Sequence, residues 1–210
     1  MKISRSEIIT RVKLLMEELP LQWESSFEQK QGLSIDRYID GVIEEQLRLL
    51  LLTAPVKILP IEDMSRSFVP VRHSDGSGTI YLLPEVLRPI SLQMEGWSIP
   101  VTQFLDENHP LSRMQYSRYT SAGANKPVAV WCAGEAGVSR IDYFSLPQSL
   151  TQHHIQSLLV VYVADVKPEE YNLHPLLIDC LCYRCASMVY DIMGNRAMAE
   201  VMLSHIAFGK

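Results

Sequence analysis

The sequence predicts an α+β fold: a helical bundle from the N- and C-terminal helices, with an inserted antiparallel β-sandwich-like lobe. Three observations predict it. Apolar residues at three- and four-residue intervals mark amphipathic helices near both ends of the chain. Short apolar runs separated by turn-forming residues mark strands in the middle. Helical spacing then returns, so helices flank the strands on both sides. The bundle is assigned to residues 1–55 and 170–210 and the β-rich lobe to residues 56–169, one domain overall. A chain of 210 residues is long enough to bury a core without staples.

Ser4-x-x-Glu7 reads as a capping box, two side chains satisfying orphan amides at a helix start. Ile8, Val12, Leu15 and Leu19 then fall on one face, and Pro20 ends the helix. Residues 21–34 are polar and glutamine-rich, a long connection with Trp23 and Phe27 as anchors. A second helix covers residues 36–53, with Ile39, Val42, Ile43, Leu47 and Leu50 as its stripe. The run 49–52 is apolar all round, which predicts burial among several partners. Ala54-Pro55 stops this helix.

In the middle, strands over 68–72 and 79–83 flank a hairpin loop, His73-Ser74-Asp75-Gly76-Ser77-Gly78. The second strand ends at Leu83-Pro84. One helical turn is predicted over 85–87, then strands over 89–94 and 98–102 on either side of Gly96-Trp97. Residues 104–121 are polar and aromatic, with room for one or two helical turns. Strands over 127–132, 139–144 and 156–164 follow. Residues 158–163 are continuously apolar, as in a central strand covered on both faces. Short strands between turns predict a small antiparallel sandwich or barrel-like sheet.

Asn172 is the expected cap of a helix carrying Leu173, Leu177, Leu181, Met188 and Ile192, with Pro175 in its first turn. Gly194-Asn195 reads as a stop and restart. Met198, Val201, Met202 and Ile206 line the last helix.

A net charge of −5 argues against a phosphate-gripping surface overall but leaves room for a local basic patch. No apolar run approaches the roughly 18 residues needed to span a bilayer. The opening MKISRSEIITRVKLL lacks the apolar core and cleavage site of a signal peptide. The expectation is a cytosolic chain with no membrane partner. Four cysteines, three of them crowded on one predicted helix, do not form a disulfide framework.

The candidates for chemistry are few. Cys182-x-x-Cys185 has a zinc-like spacing, but Cys180 and Cys182 point about 200° apart on a helix, and no second pair completes a site. Small buried thiols at tight helix contacts are the expected reading. His153-His154 reads as a solvated turn. Asp75-Gly76-Ser77-Gly78 leads into a strand and carries no Lys, so it is a hairpin tip and not a phosphate loop. Ser145 and Ser149 lack a nucleophile elbow. Arg184 falls near an apolar stripe, which leaves an ion pair to Asp142, Asp165 or Asp191, or snorkelling. Arg113, Tyr116, Arg118 and Tyr119 form a basic-aromatic cluster. That composition suits stacking on nucleic acid and equally a protein interface, and the interface is favoured. Phe208 can anchor the tail against a neighbour. No catalytic residue, cofactor or metal is expected.

The segment Tyr81-Leu82-Leu83-Pro84-Glu85-Val86-Leu87-Arg88, followed by Trp97 and Pro100, lies between the two pairs of helices. Downstream come residues 127–131, the apolar strand 158–163 and the small residues Cys185-Ala186-Ser187. In this order the chain resembles the head-to-tail adaptor proteins of tailed bacteriophages, of the tail tubular protein A or gatekeeper type, and the ring proteins beneath portals. The resemblance implies a non-catalytic structural virion protein, assembled in the host bacterial cytoplasm. It implies a homo-oligomeric ring, commonly dodecameric, docked below the portal protein and offering a platform to downstream tail or ring proteins. DNA would pass through its channel without sequence-specific binding, which suits an acidic chain. The expected interface residues are His73, Asp75 and Ser77 at the hairpin tip, then Arg113, Tyr116, Arg118, Tyr119 and Phe208. The alternatives are another phage tail or connector component, or a small cytosolic enzyme marked by a convergent polar pocket.

Overall fold

A computed structural model describes residues 1–17, 34–117, 119–132, 139–147, 150, 152–163, 167–206 and 208. Among them are five helices: α1 (Arg5–Glu17), α2 (Ile35–Thr53), α3 (Pro110–Gln115), α4 (Pro175–Ile192) and α5 (Arg196–Ser204). The strands are β1 (Lys2–Ser4), β2 (Ile61–Asp63), β3 (Val71–Arg72), β4 (Gly78–Tyr81), β5 (Val86–Met94), β6 (Leu105–Asp106), β7 (Ala129–Cys132), β8 (Arg140–Tyr143), β9 (Ile155–Tyr162) and β10 (Glu170–Asn172). The fold is mixed α+β. The chain forms two compact units: Met1–Pro60 with Ala164–Lys210, and Ile61–Val163.

In the first unit, β1 pairs antiparallel with β10, setting Ile3 opposite Tyr171. The Ser4 hydroxyl accepts the Glu7 amide at 3.1 Å. The Glu7 carboxylate accepts from Arg11 at 2.9 Å, so only one arm of the expected capping box is built. Ile8 and Val12 are fully buried, as their spacing predicts. Leu19, Pro20, Trp23 and Phe27 lie outside the described residues. α2 buries its whole stripe, Ile39, Val42, Ile43, Leu47 and Leu50. The run 49–52 is not buried all round, however. Leu50 and Leu51 face inward, whereas Leu49 and Leu52 are 41% and 42% exposed.

The cap of α4 is His174, whose side chain accepts the Leu176 amide at 3.3 Å. Asn172 is not the cap, because pairing with β1 keeps the chain extended through it. Pro175 takes the first helical position, where its missing N–H costs nothing. Gly194 has φ +81°, the left-handed conformation that ends a helix most cheaply with glycine. Asn195 then caps α5, accepting the Met198 amide at 3.3 Å. The Ser187 hydroxyl donates to the Ala199 carbonyl at 2.9 Å and ties α4 to α5. The Tyr190 hydroxyl donates to the Met16 carbonyl at 3.2 Å and ties α4 to α1.

Arg5 is the polar centre of this unit. Its guanidinium binds the carboxylates of Asp40 and Glu44, and it donates to the Tyr171 hydroxyl at 2.8 Å. The Glu44 hydrogen bond, against the cost of burial, raises Arg5. Arg5 in turn holds Asp40 below its ordinary value. Burial pushes Glu44 up, but hydrogen bonds from Arg5 and Tyr171 outweigh it and leave Glu44 lowered. Arg184, expected to pair with an aspartate or to snorkel, instead donates to the Gln46 side-chain carbonyl at 3.3 Å.

In the second unit, β2, β9 and β5 form one antiparallel sheet with β9 in the middle. The order in the other sheet is β3-β4-β8-β7-β6. Its β6 runs parallel to β7, which corrects the all-antiparallel expectation. Both sheets feed one core, in which Ile80, Ile141 and Tyr143 meet Leu92, Met94, Leu158 and Val160. The predicted helical turn over 85–87 is absent. Val86 donates to the Leu83 carbonyl at 3.0 Å, closing a tight turn at Pro84-Glu85 straight into β5. Pro89 is accommodated inside β5 beside a register shift. Of the strand expected over 98–102, only a bridge between Leu92 and Val101 forms. The strand expected over 68–72 shrinks to two residues behind a 3₁₀ turn at Ser65–Ser67.

Candidate functional site

The hairpin tip between β3 and β4 is tied internally. His73 donates its amide to the Ser77 carbonyl at 2.9 Å. Asp75 accepts from both the Ser77 amide, at 3.0 Å, and the Ser77 hydroxyl, at 2.6 Å. These bonds hold the Asp75 carboxyl below its usual range. With the Ser77 proton given to Asp75, the neighbouring His73 Nδ1, at 3.0 Å, is the donor to Ser77 Oγ. A nucleophilic serine needs the reverse order, with an imidazole accepting its proton and a carboxylate orienting the imidazole. The trio therefore rigidifies a turn and does not activate a hydroxyl. His73, Ser74 and Asp75 face solvent, while Gly76, Ser77 and Gly78 are buried.

A second element is held opposite. His109 caps α3 by accepting the Leu111 amide at 3.2 Å. Gln115 accepts the Ala122 amide at 2.9 Å and fixes the loop that follows. Between them Tyr116 packs edge-on against Phe144, with ring centroids 5.2 Å apart. Its hydroxyl donates to Asp142 at 3.2 Å. Asp142, only 8% exposed, also accepts from Thr79 at 2.8 Å, Arg140 at 3.3 Å and the Cys132 thiol at 3.6 Å. Burial, then the Asp142 charge, pushes Tyr116 up to about 12 and Cys132 up to about 11. Both remain protonated donors at neutral pH.

Asp75, Ser77 and Tyr116 thus border one cleft of about 590 Å³, with Phe144 and Ser145 in its wall. Ser145 has φ +80°, and its buried hydroxyl has no protein partner among the described residues. Three of the sequence-predicted interface residues converge here, and His73 is bound to one of them. Arg113 is exposed and Tyr119 is 97% exposed, and neither is among the described lining residues. Arg118 lies outside the described residues. Phe208, in the unit made of both chain ends, is half-buried.

Three features escaped the sequence. Asp142 carries little local signal, because three of its four partners, Thr79, Tyr116 and Cys132, come from other segments and only Arg140 shares its strand. The Arg5 cluster is equally non-local. His153, expected in a solvated turn, is only 6% exposed and shares a 2.8 Å hydrogen bond with the Tyr143 hydroxyl. Burial, then the charge of Arg72, lowers its pKa. Ser149 and Asp165 lie outside the described residues.

All four cysteines are buried and free. Burial pushes the Cys182 thiol up to about 12 and raises Cys185 as well, so both are inert thiols. Among the described residues no group of three or more His, Cys, Asp or Glu is placed to hold a metal ion. No described helix is long and apolar enough to cross a membrane. Comparison with protein-family models gives no match, and comparison with curated proteins gives none either.

Proposed function

We propose that this chain is a structural virion protein, a head-to-tail adaptor that works as a ring subunit between portal and tail. The ring, of twelve subunits by the resemblance, extends the DNA channel and performs no reaction. Its fold, in this reading, is a bundle of terminal helices carrying an inserted β-sandwich-like lobe.

One observation carries the proposal. The β1–β10 pair brings residues 2–4 against residues 170–172, so one unit is made from both ends of the chain and the other is an insertion. That is the order on which the resemblance rests, together with the Leu83-Pro84 turn into β5 and the buried Trp97. The helical unit also offers a surface for a second copy. Leu49 and Leu203, 41% and 43% exposed, border one groove of about 410 Å³. Its rim carries Arg184, Arg196, Asp191 and Glu200, both charge signs together. An apolar centre with a polar rim suits a subunit contact, and a ring requires two different faces on each subunit.

Mass photometry of the chain, alone and with the portal protein encoded beside it, tests the reading. The expected result is a complex with about one copy per portal subunit. A chain that ignores the portal at micromolar concentration overturns it. Because some adaptors oligomerise only on the portal, a monomer in isolation does not.

A further inference from the structure

Residues from the 3₁₀ turn to β3 form one wall of a groove of about 520 Å³, and residues 152–155 form the other. The first wall is weakly held. β3 is two residues long and lies at the edge of its sheet, paired with β4 alone among the described strands. Pro70 has no N–H to give to the ladder. Val69 and Val71 are 84% and 47% exposed, which leaves Phe68 as the buried anchor. Segments with few buried apolar contacts are the first to open.

This wall covers an imidazole that tolerates no charge. His153 is buried, with Nδ1 2.8 Å from the Tyr143 hydroxyl. Its Nε2 is buried and has no partner among the described residues. Either tautomer of the neutral ring leads to the same place. If Nε2 is bare, an added proton lands on it. If Nε2 already carries the proton, the next one goes to Nδ1, and the Tyr143 hydroxyl turns round to accept it. Both routes end in one cation, whose buried Nε2–H no described group accepts. An unpaired charge held from water is costly. The groups around it do not help. Arg66 and Arg72 come from the first wall, His154 from its own segment, His73 from the hairpin tip and Tyr143 from β8 beneath. Burial holds His153 below its ordinary value, and the charges of Arg72, His154 and His73 add to it. No described residue lining the groove is acidic.

We propose that His153 is an acid-operated latch on the β3–β4 hairpin: a proton on its ring opens the 65–72 segment to water and loosens the tip that carries His73, Asp75 and Ser77. Opening hydrates the imidazole and restores its ordinary basicity. The open form therefore takes up the proton first, and opening becomes easier as pH falls below 6.5. The tip is the one the adaptor reading uses for contact, but the latch works in the isolated chain and stands without a portal.

The test is amide hydrogen exchange of the whole chain between about pH 8 and about pH 5, corrected for the intrinsic pH dependence of exchange. The readouts are the amides of β3 and of His73, which closes the tip on the Ser77 carbonyl. Their opening constant should rise by up to about tenfold per pH unit below 6.5. Amides of β9, the middle strand of the other sheet, should not follow. His153→Gln should abolish the rise, and His154→Gln should keep it. If His153→Gln does not fold, NMR titration of the wild-type ring decides, because the rise must level off at the midpoint of that titration. A flat opening constant, a rise that survives His153→Gln or vanishes in His154→Gln, or one that levels off away from the ring's midpoint overturns the proposal.

Discussion

Replacing Gly78 with alanine tests the packing of the β-rich unit at its tightest point. Gly78 pairs across the sheet with Tyr143, which is fully buried and packs edge-on against Trp97. A Cβ at Gly78 would lie 2.5 Å from the Val71 carbonyl oxygen, and closer still to Oη and Cζ of Tyr143. No Cβ tolerates that, so both β3 and the tyrosine must give way. Forcing atoms into a filled core costs about 1–3 kcal/mol. When Tyr143 moves, His153 Nδ1 joins Nε2 without a partner, which adds about 1–3 kcal/mol. Alanine restricts the unfolded chain and returns only about 0.4–1 kcal/mol. The net expectation is a loss of about 3 kcal/mol, read as a lower urea midpoint at unchanged m-value. Gly123→Ala is the control, since nothing lies within 4 Å of its added Cβ. A loss below about 1 kcal/mol, with the His153 Nδ1 resonance unmoved, would show that the close approach is not what demands glycine.

Four further outcomes follow from the structure. Arg5→Ala leaves Glu44 without its cation and Asp40 with Lys167 alone among the described residues, at 3.5 Å, and because the cluster is partly solvated it should cost about 1–3 kcal/mol in urea unfolding; Arg5→Lys should not restore it, because one ammonium cannot serve both carboxylates. The same urea series should show wild-type stability from Asp40 and Glu44 intact above their ordinary values of 3.8 and 4.5 and lost as pH falls through their lowered folded values, a loss that Arg5→Ala flattens. His153 is held below its ordinary 6.5 by burial, with Arg72, His154 and His73 adding to it, so the unfolded chain takes up a proton first. Its contribution should be complete above that ordinary value and fall away as pH drops toward the lower folded value. His153→Gln should remove this dependence, and an identical pH profile would count against a buried neutral imidazole. Gly41 sits on the exposed face of α2 with open space around it. Gly41→Ala should therefore stabilise the helix by about 0.5–1 kcal/mol in thermal or urea unfolding.

Helices were legible in the sequence because their determinants are local. The stripe of α2 and the Gly194-Asn195 break depend on residues a few positions apart, and both are found where the pattern puts them. Strands were legible as segments but not in their limits, because their partners are distant. Asn172 looks like a cap until β1 claims it, and the cap passes to His174. The parallel pairing of β6 with β7 leaves no mark in a two-residue strand. The cleft was half legible. Asp75, Ser77 and Tyr116 announce themselves as turn and contact residues. Asp142, which fixes Tyr116 from beneath, reads in sequence as one aspartate in a strand. His153 reads as polar and is buried because Tyr143 offers it a hydrogen bond.

The predicted contact residues fall into two physical kinds, and the difference bears on how an adaptor would dock. Asp75, Ser77 and Tyr116 are fixed before any partner arrives, the first two by the turn and the third by Asp142 and Phe144. Immobilising a rotamer-rich side chain on binding costs about 0.5–1.5 kcal/mol, and these three have already lost that freedom in folding. Tyr119, 97% exposed, has not. A rigid cleft edge can set the register of a partner, while a free tyrosine nearby adapts to it. Tyr116→Phe, which releases the hydroxyl from Asp142 but keeps the ring, should therefore weaken portal binding by slowing association. Tyr119→Ala should act through faster dissociation. The two constants separate by surface plasmon resonance on an immobilised portal. Equal effects of both variants on the dissociation rate alone would mean that the cleft edge is not preorganised for docking.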